Sequence, residues 1–205
     1  MNFKMSVLKM IFEHSRAKAL VCAAALAGCL NVGEVAAQGD PGKGSVNVMQ
    51  SSVGVSPGAR SLVIKLPERI PAQCVNNAAR RYQVPEMALL AILKQESGGR
   101  TGVVANNKNG SKDYGPAQFN DRSWGRYMQK KYGISLNRLT NDMCQAIMAQ
   151  AYALRSEWNR CITKKKDPSI WCAIALYHSP TKKYQEIYVR NVWKRYQEMV
   201  AKGKF

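Results

Sequence analysis

The amino-acid sequence predicts an all-α fold, a single helical domain of about 130 residues behind an apolar leader and a flexible tether. Three observations carry this. From Pro71 onward apolar residues recur at three- and four-residue spacing, and the alternation that marks half-buried strands is almost missing. Proline, asparagine, aspartate and glycine fall where the periodic stretches begin and end.

The first predicted helix opens at Pro71, whose fixed φ suits a first turn, and shows Cys74, Ala78 and Tyr82 on one face. Pro85-Glu86 opens the second in the same way. Its buried face holds Leu89, Ile92 and Leu93, and Glu96 continues that stripe. Residues 100–114 are rich in Asn, Gly and Lys and read as a loop of about fifteen residues, a length that in compact domains often marks function. Residues 121–132 form a third helix stopped by Gly133. Asn141-Asp142 caps a fourth with the stripe Cys144, Ile147, Ala151, Leu154 and Trp158. Asp167-Pro168 starts a fifth through Trp171, Ile174 and Tyr177. Residues 181–201 give a sixth with Tyr184, Tyr188, Val192 and Tyr196. There is no internal repeat.

Upstream, Lys4, Lys9, Arg16 and Lys18 precede the Ala-rich apolar run 19–30, a pattern of secretory type that is too short for a comfortable membrane span. Residues 1–37 are therefore read as a signal segment and the protein as exported to the periplasm. Val35-Ala36-Ala37 fits cleavage after Ala37, and Leu26-Ala27-Gly28-Cys29 fits a lipobox that would leave Cys29 lipidated; both remain open. Residues 38–71, rich in Gly, Ser, Val and Pro, are a tether in which 61–66 reads as one short strand without an evident partner. The folded domain is placed at 72–205.

Losing residues 1–37 removes four basic and two acidic residues and leaves +16 of the original +18. The excess is spread over Arg80-Arg81, Lys130-Lys131, Lys164-Lys165-Lys166, Lys182-Lys183 and Lys194-Arg195, a surface suited to a polyanion or to solubility alone. The domain keeps four cysteines, an even number that in an exported chain points to two disulfides with three possible connectivities. Cys74 and Cys144 each open a helix on its apolar side, and Cys161 and Cys172 flank a short basic loop. The reading chosen is 74 with 144 and 161 with 172. A zinc site is disfavoured, since Cys-x-x-Cys spacing is lacking and His178 is the domain's one histidine.

Glu96 is where the chemistry concentrates. A carboxyl on the apolar stripe of a helix C-terminus resists ionisation, because burial and the partial negative charge of the helix end both oppose the charged form. Such an acid stays protonated near neutrality and can give its proton to a leaving oxygen.

Glu96-Ser97 at the end of a Leu-rich helix is followed by Asn109-Gly110-Ser111, Asp113-Tyr114-Gly115, Gln118 in a Gly-x-x-Gln segment, Ala175-Leu176-Tyr177-His178-Ser179, and Tyr188-Val189. With these pieces in this order, residues 74–200 resemble a lytic transglycosylase domain of the soluble lytic transglycosylase type, related in fold to goose-type lysozyme. Within it they look most like the small disulfide-bearing members that accompany secretion, conjugation and pilus machines. The resemblance implies a lysozyme-like helical fold and cleavage of the β-1,4 bond between N-acetylmuramic acid and N-acetylglucosamine in peptidoglycan. It makes Glu96 the one catalytic acid and then base, closing a 1,6-anhydro ring with the substrate's own acetamido group steadying the positive charge. It makes Gln118 a sugar contact or a brace for the Glu96 loop, gives Gly115 a close backbone approach to glycan, and lets the Tyr177 hydroxyl reach the catalytic carboxyl. Ser97 and Asn106 are further candidates for substrate contact. No cofactor or metal is called for. The implied partners are peptidoglycan strands and an envelope-spanning apparatus, with no nucleic acid, and a membrane only through a lipidated Cys29.

Pro116-Ala117 replaces the usual Leu-Met, which alters one apolar wall of the groove, and His178 stands where Asn is more common. Two rivals follow. A lysozyme-type hydrolase needs a second carboxylate, for which Asp113 is the one nearby, although it also reads as a turn-stabilising residue. A basic nucleic-acid-binding accessory protein accounts for the charge but not for Glu96.

Overall fold

The computed structural model describes residues 63–205 and the short strand β1 (Val48–Gln50). The expected signal segment 1–37, Cys29 and most of the tether lie outside the described residues. The domain is mostly helical. Helices α1 (Ala72–Tyr82) and α2 (Glu86–Glu96) begin directly after Pro71 and Pro85, whose φ of −65° and −63° sets up the first turn. Every residue from Ala88 to Leu93 is buried, so α2 is apolar all round and central. It packs on α1, α5 (Met143–Arg160), α6 (Ile170–His178) and α7 (Lys182–Lys202).

The caps explain the boundaries. Asp142 accepts from Gln145 N at the start of α5, and Ser169 accepts from Trp171 N at the start of α6. Helix α3 (Trp124–Tyr132) starts later than residue 121 and ends at Gly133 in the left-handed region. Its Tyr127 hydroxyl shares a hydrogen bond of 2.8 Å with Tyr152 of α5. Helix α4 (Leu136–Asn141) was not anticipated: it is six residues long, is capped by Ser135, and buries Leu139 and Thr140 alone. A π-helical turn (Cys161–Lys165) extends α5. On α7 the buried residues are Tyr188, Val192 and Met199, whereas Tyr184 is 54% exposed in the first turn.

Residues 100–114 are not a structureless loop. Strands β3 (Val104–Asn106), β4 (Lys112–Tyr114) and β5 (Phe119–Asn120) form an antiparallel sheet in that order. They escaped the hydrophobic pattern because polar side chains secure them. Asp113 accepts from Asn107 Nδ2 at 2.8 Å and from Asn120 Nδ2 at 2.7 Å, and the Ser111 Oγ donates to Asn109 at 2.7 Å.

The core also extends upstream of Pro71. Strand β2 (Val63–Lys65) pairs antiparallel with β1, and Ile64, Leu66 and Ile70 are buried. Lys65 N donates to Gly203 O at 2.9 Å and Phe205 N donates to Lys65 O at 3.0 Å, so the segment without an evident partner is held by residues from the far end of the chain.

Cys74–Cys144 ties α1 to α5 with Cα atoms 5.1 Å apart, and Cys161–Cys172 ties the π-helical turn to α6 at 6.1 Å. The first spans 70 residues of sequence and the second 11. Loop entropy then assigns about 4 kcal/mol to the longer link and about 3 kcal/mol to the shorter. Urea melts of Cys74→Ala/Cys144→Ala and Cys161→Ala/Cys172→Ala proteins are expected to show the larger loss in the first; the reverse order would refute the ranking.

Candidate active site

Glu96 is the last residue of α2, and the chain leaves it through Ser97 and two glycines with φ of +67°. Arg69 steadies this exit by donating from Nε to Gly99 O and from Nη2 to Gly98 O, each at 3.1 Å. From the other side Arg195 of α7 donates to Gln95 Oε1 at 3.2 Å, which sets α7 against the end of α2. The Tyr188 hydroxyl of α7 then donates to Glu96 Oε1.

Protein surrounds the Glu96 carboxyl, while part of the residue stays open to solvent. Burial pushes its pKa up to about 7, the hydrogen bond from Tyr188 pulls the other way, and the negative charge of Asp113 adds to the rise. Near neutrality this carboxyl can therefore both hold and release a proton.

Ser97 is buried, its Oγ donating to Pro116 O at 2.8 Å and accepting from Arg100 N at 3.1 Å. It thus bolts the end of α2 to the turn between β4 and β5. That turn passes through Gly115, buried at φ +73°, where a Cβ would lie 2.1 Å from Leu139 O. The backbone that Gly115 admits on its Cβ side is the chain's own α4. Gln118, itself at φ +49°, donates from Nε2 to Gly115 O at 2.8 Å and so braces the same turn. Tyr177 is buried and donates its hydroxyl to Ala117 O at 2.9 Å. The phenol on Glu96 is therefore that of Tyr188, where the resemblance had suggested Tyr177. Asn106 lies exposed on β3, outside this set of bonds.

Asp113 accepts from two amides and still acts electrostatically on Glu96, Tyr177 and His178. His178, the last residue of α6, stacks flat on the ring of Tyr188, with centroids 4.2 Å apart and planes 1° from parallel. Tyr188 stands both on the helical stripe and in the Tyr188-Val189 piece of the resemblance, but neither gives it a role at Glu96; nothing in its spacing distinguishes it from Val192. Among the described residues, no three His, Cys, Asp or Glu side chains converge as a metal site would require.

The family model described as the transglycosylase SLT domain matches residues 73–199, more than half of the chain. The chain belongs to the transglycosylase SLT family. It is an enzyme of the lytic transglycosylase type, with peptidoglycan as its substrate. This transglycosylase is 31% identical to protein IpgF of Shigella flexneri over 147 residues, which cover 70% of this chain and 91% of that protein. It is 29% identical to invasion protein IagB of Salmonella typhimurium over 132 residues, covering 62% and 78%. It is also 35% identical to lysozyme D of Drosophila melanogaster over 100 residues, covering 42% and 70%. Among the described residues, no helix of the transglycosylase is long and apolar enough to cross a membrane.

Proposed function

We propose that Glu96 is the single acid and base of the reaction, and that the bond cut is the β-1,4 link between N-acetylmuramic acid and N-acetylglucosamine. The Glu96 carboxyl gives its proton to the glycosidic oxygen as the C1–O bond breaks, and the substrate's acetamido group steadies the positive charge at C1. The resulting carboxylate, with the Tyr188 hydroxyl donating to it, takes the proton of the muramoyl 6-hydroxyl while that oxygen bonds to C1. Glu96 ends protonated, and no water is consumed. The observation that carries this reading is a surrounded carboxyl whose pKa of about 7 lets one group serve both steps. Ser97, Gly115 and Tyr177 act by fixing the turn beside it, and Asn106 and Gln118 contact the sugars.

A hydrolase outcome is favoured by one observation, the charge of Asp113 acting on Glu96. Mass spectrometry of digested peptidoglycan separates the two. Transglycosylation gives muropeptides lighter by one water, ending in the 1,6-anhydro ring, whereas reducing ends would replace this reading with the lysozyme one.

The wider role we infer is opening the wall for an envelope-spanning secretion, conjugation or pilus apparatus. The likeness to a protein named for invasion supports it, as does the basic surface. Export to the periplasm rests on the leader; of the expected tether 38–71, the part from β2 onward belongs to the folded body. The mass of the mature N-terminus decides between cleavage after Ala37 and lipidation of Cys29.

A further inference from the structure

We propose that His178 is a positioning residue for Glu96: its imidazole, flat against the Tyr188 ring, fixes the phenol whose hydroxyl donates to the acid. This rests on the reading of Glu96 as the acid and base.

Tyr188 is buried on α7, and its hydroxyl keeps its place on Glu96 only while the ring is kept from swinging about the Cα–Cβ bond. His178 faces the ring from the C-terminal end of α6, with the rings 4.2 Å apart and 1° from parallel. A flat stack restrains the ring face, and the hydroxyl in the same plane is thereby held on Glu96 Oε1. A swing of the ring about the Cα–Cβ bond would move the hydroxyl off the carboxyl, and a misplacement of about an ångström at a catalytic group costs as much as a hundredfold in rate.

Charge fits the same role. The groups acting on His178 are Asp113 from β4 and the Tyr188 phenol from α7, with Glu96 of α2 behind that phenol and Tyr177 beside it on α6. Burial holds the His178 pKa below its ordinary value, with Asp113 opposing, so the ring is neutral when Glu96 titrates near 7. A neutral ring leaves the acid its proton; an imidazolium there would strengthen the phenol as a donor and draw the acid toward its ionised form.

The test compares His178→Ala, His178→Phe and Glu96→Gln with the wild type in turnover of purified peptidoglycan across pH 5 to 9. Removing the ring is expected to lower kcat about tenfold or more with KM unchanged. It should also move the alkaline limb of the profile to higher pH, because the carboxylate loses a held donor. His178→Phe, which restores a flat neutral ring, is expected to recover both the rate and the position of the limb. The inference is overturned if the limb stays in place in His178→Ala, or if Phe rescues neither quantity. Should His178→Ala melt far below the wild type, His178→Phe against wild type still decides, since an altered limb with the ring present contradicts the stacking role. Failure of the Glu96 reading looks different: Glu96→Gln would keep its activity, and the wild type would show no limb near pH 7.

Discussion

Replacing Glu96 by Gln is expected to abolish peptidoglycan cleavage, by about a thousandfold or more, and at the same time to make the protein more stable above pH 7. The two effects have one origin. The folded-state pKa of Glu96 is raised from 4.5 to about 7, so the native protein prefers the neutral form. Stability from this group is fully present below the unfolded-state value near 4.5 and is lost as pH rises through about 7. Beyond that point the ionised carboxylate costs the fold about 3 kcal/mol, a cost that solvent screens little because protein surrounds the carboxyl. Gln has nearly the same shape, can accept from the Tyr188 hydroxyl, and never ionises. Thermal melts of both proteins at pH 4 and pH 8 are expected to coincide at the acid value and diverge at the alkaline one, with Glu96→Gln melting higher. An active amide variant, or a melting gap independent of pH, would sink the assignment of this carboxyl as a reluctantly ionised acid.

The second large effect is expected at Gly115. An alanine Cβ there would stand 2.1 Å from Leu139 O and 2.7 Å from Thr140 Cα, both backbone atoms, in a residue held at φ +73°. No rotamer change relieves a collision with backbone, so α4 or the turn must shift. We expect Gly115→Ala to cost about 4 kcal/mol or more and to lower Tm by more than about 10 °C. The damage is also local to the chemistry. Gly115 leads into Pro116, whose carbonyl accepts from Ser97, the residue next to Glu96. At a temperature where the variant is still folded, turnover is expected to fall further than its folded fraction does. A Gly115→Ala protein with wild-type Tm would show that α4 can yield, contrary to its packing.

How much of this could be read in advance depended on what kind of force places each residue. Glu96 was legible because hydrophobic burial has a period: Leu89, Ile92 and Leu93 define a face, and the acid falls on it. The helix cap at Asp142 left a similar mark, since a side chain that accepts from the first turn is one of a few residue types, whereas the helix expected from Asp167-Pro168 begins at Ile170 behind Ser169. The sheet around Asp113 left none, because amide and hydroxyl side chains secure it and those pair by position in space, not by spacing in sequence. Helix α4 was too short for a period. Tyr188 was visible as an apolar position on α7 but not as a partner of Glu96, for the two meet only when α7 lies along the end of α2, a contact between residues 92 positions apart. For the same reason the upstream strand seemed partnerless until Gly203 and Phe205 closed on Lys65.

The two cystine links have a consequence for when the enzyme comes into being. Domains of ordinary size are stable by about 5 to 15 kcal/mol, and the links together supply about 7. A copy in which these four domain cysteines are still thiols lacks that contribution, and glutathione keeps it so in a reducing compartment. Oxidation ties α1 to α5 through Cys74–Cys144 and the π-helical turn to α6 through Cys161–Cys172. The sulfur chemistry of the surroundings therefore bears directly on how much of the enzyme's stability is available to it.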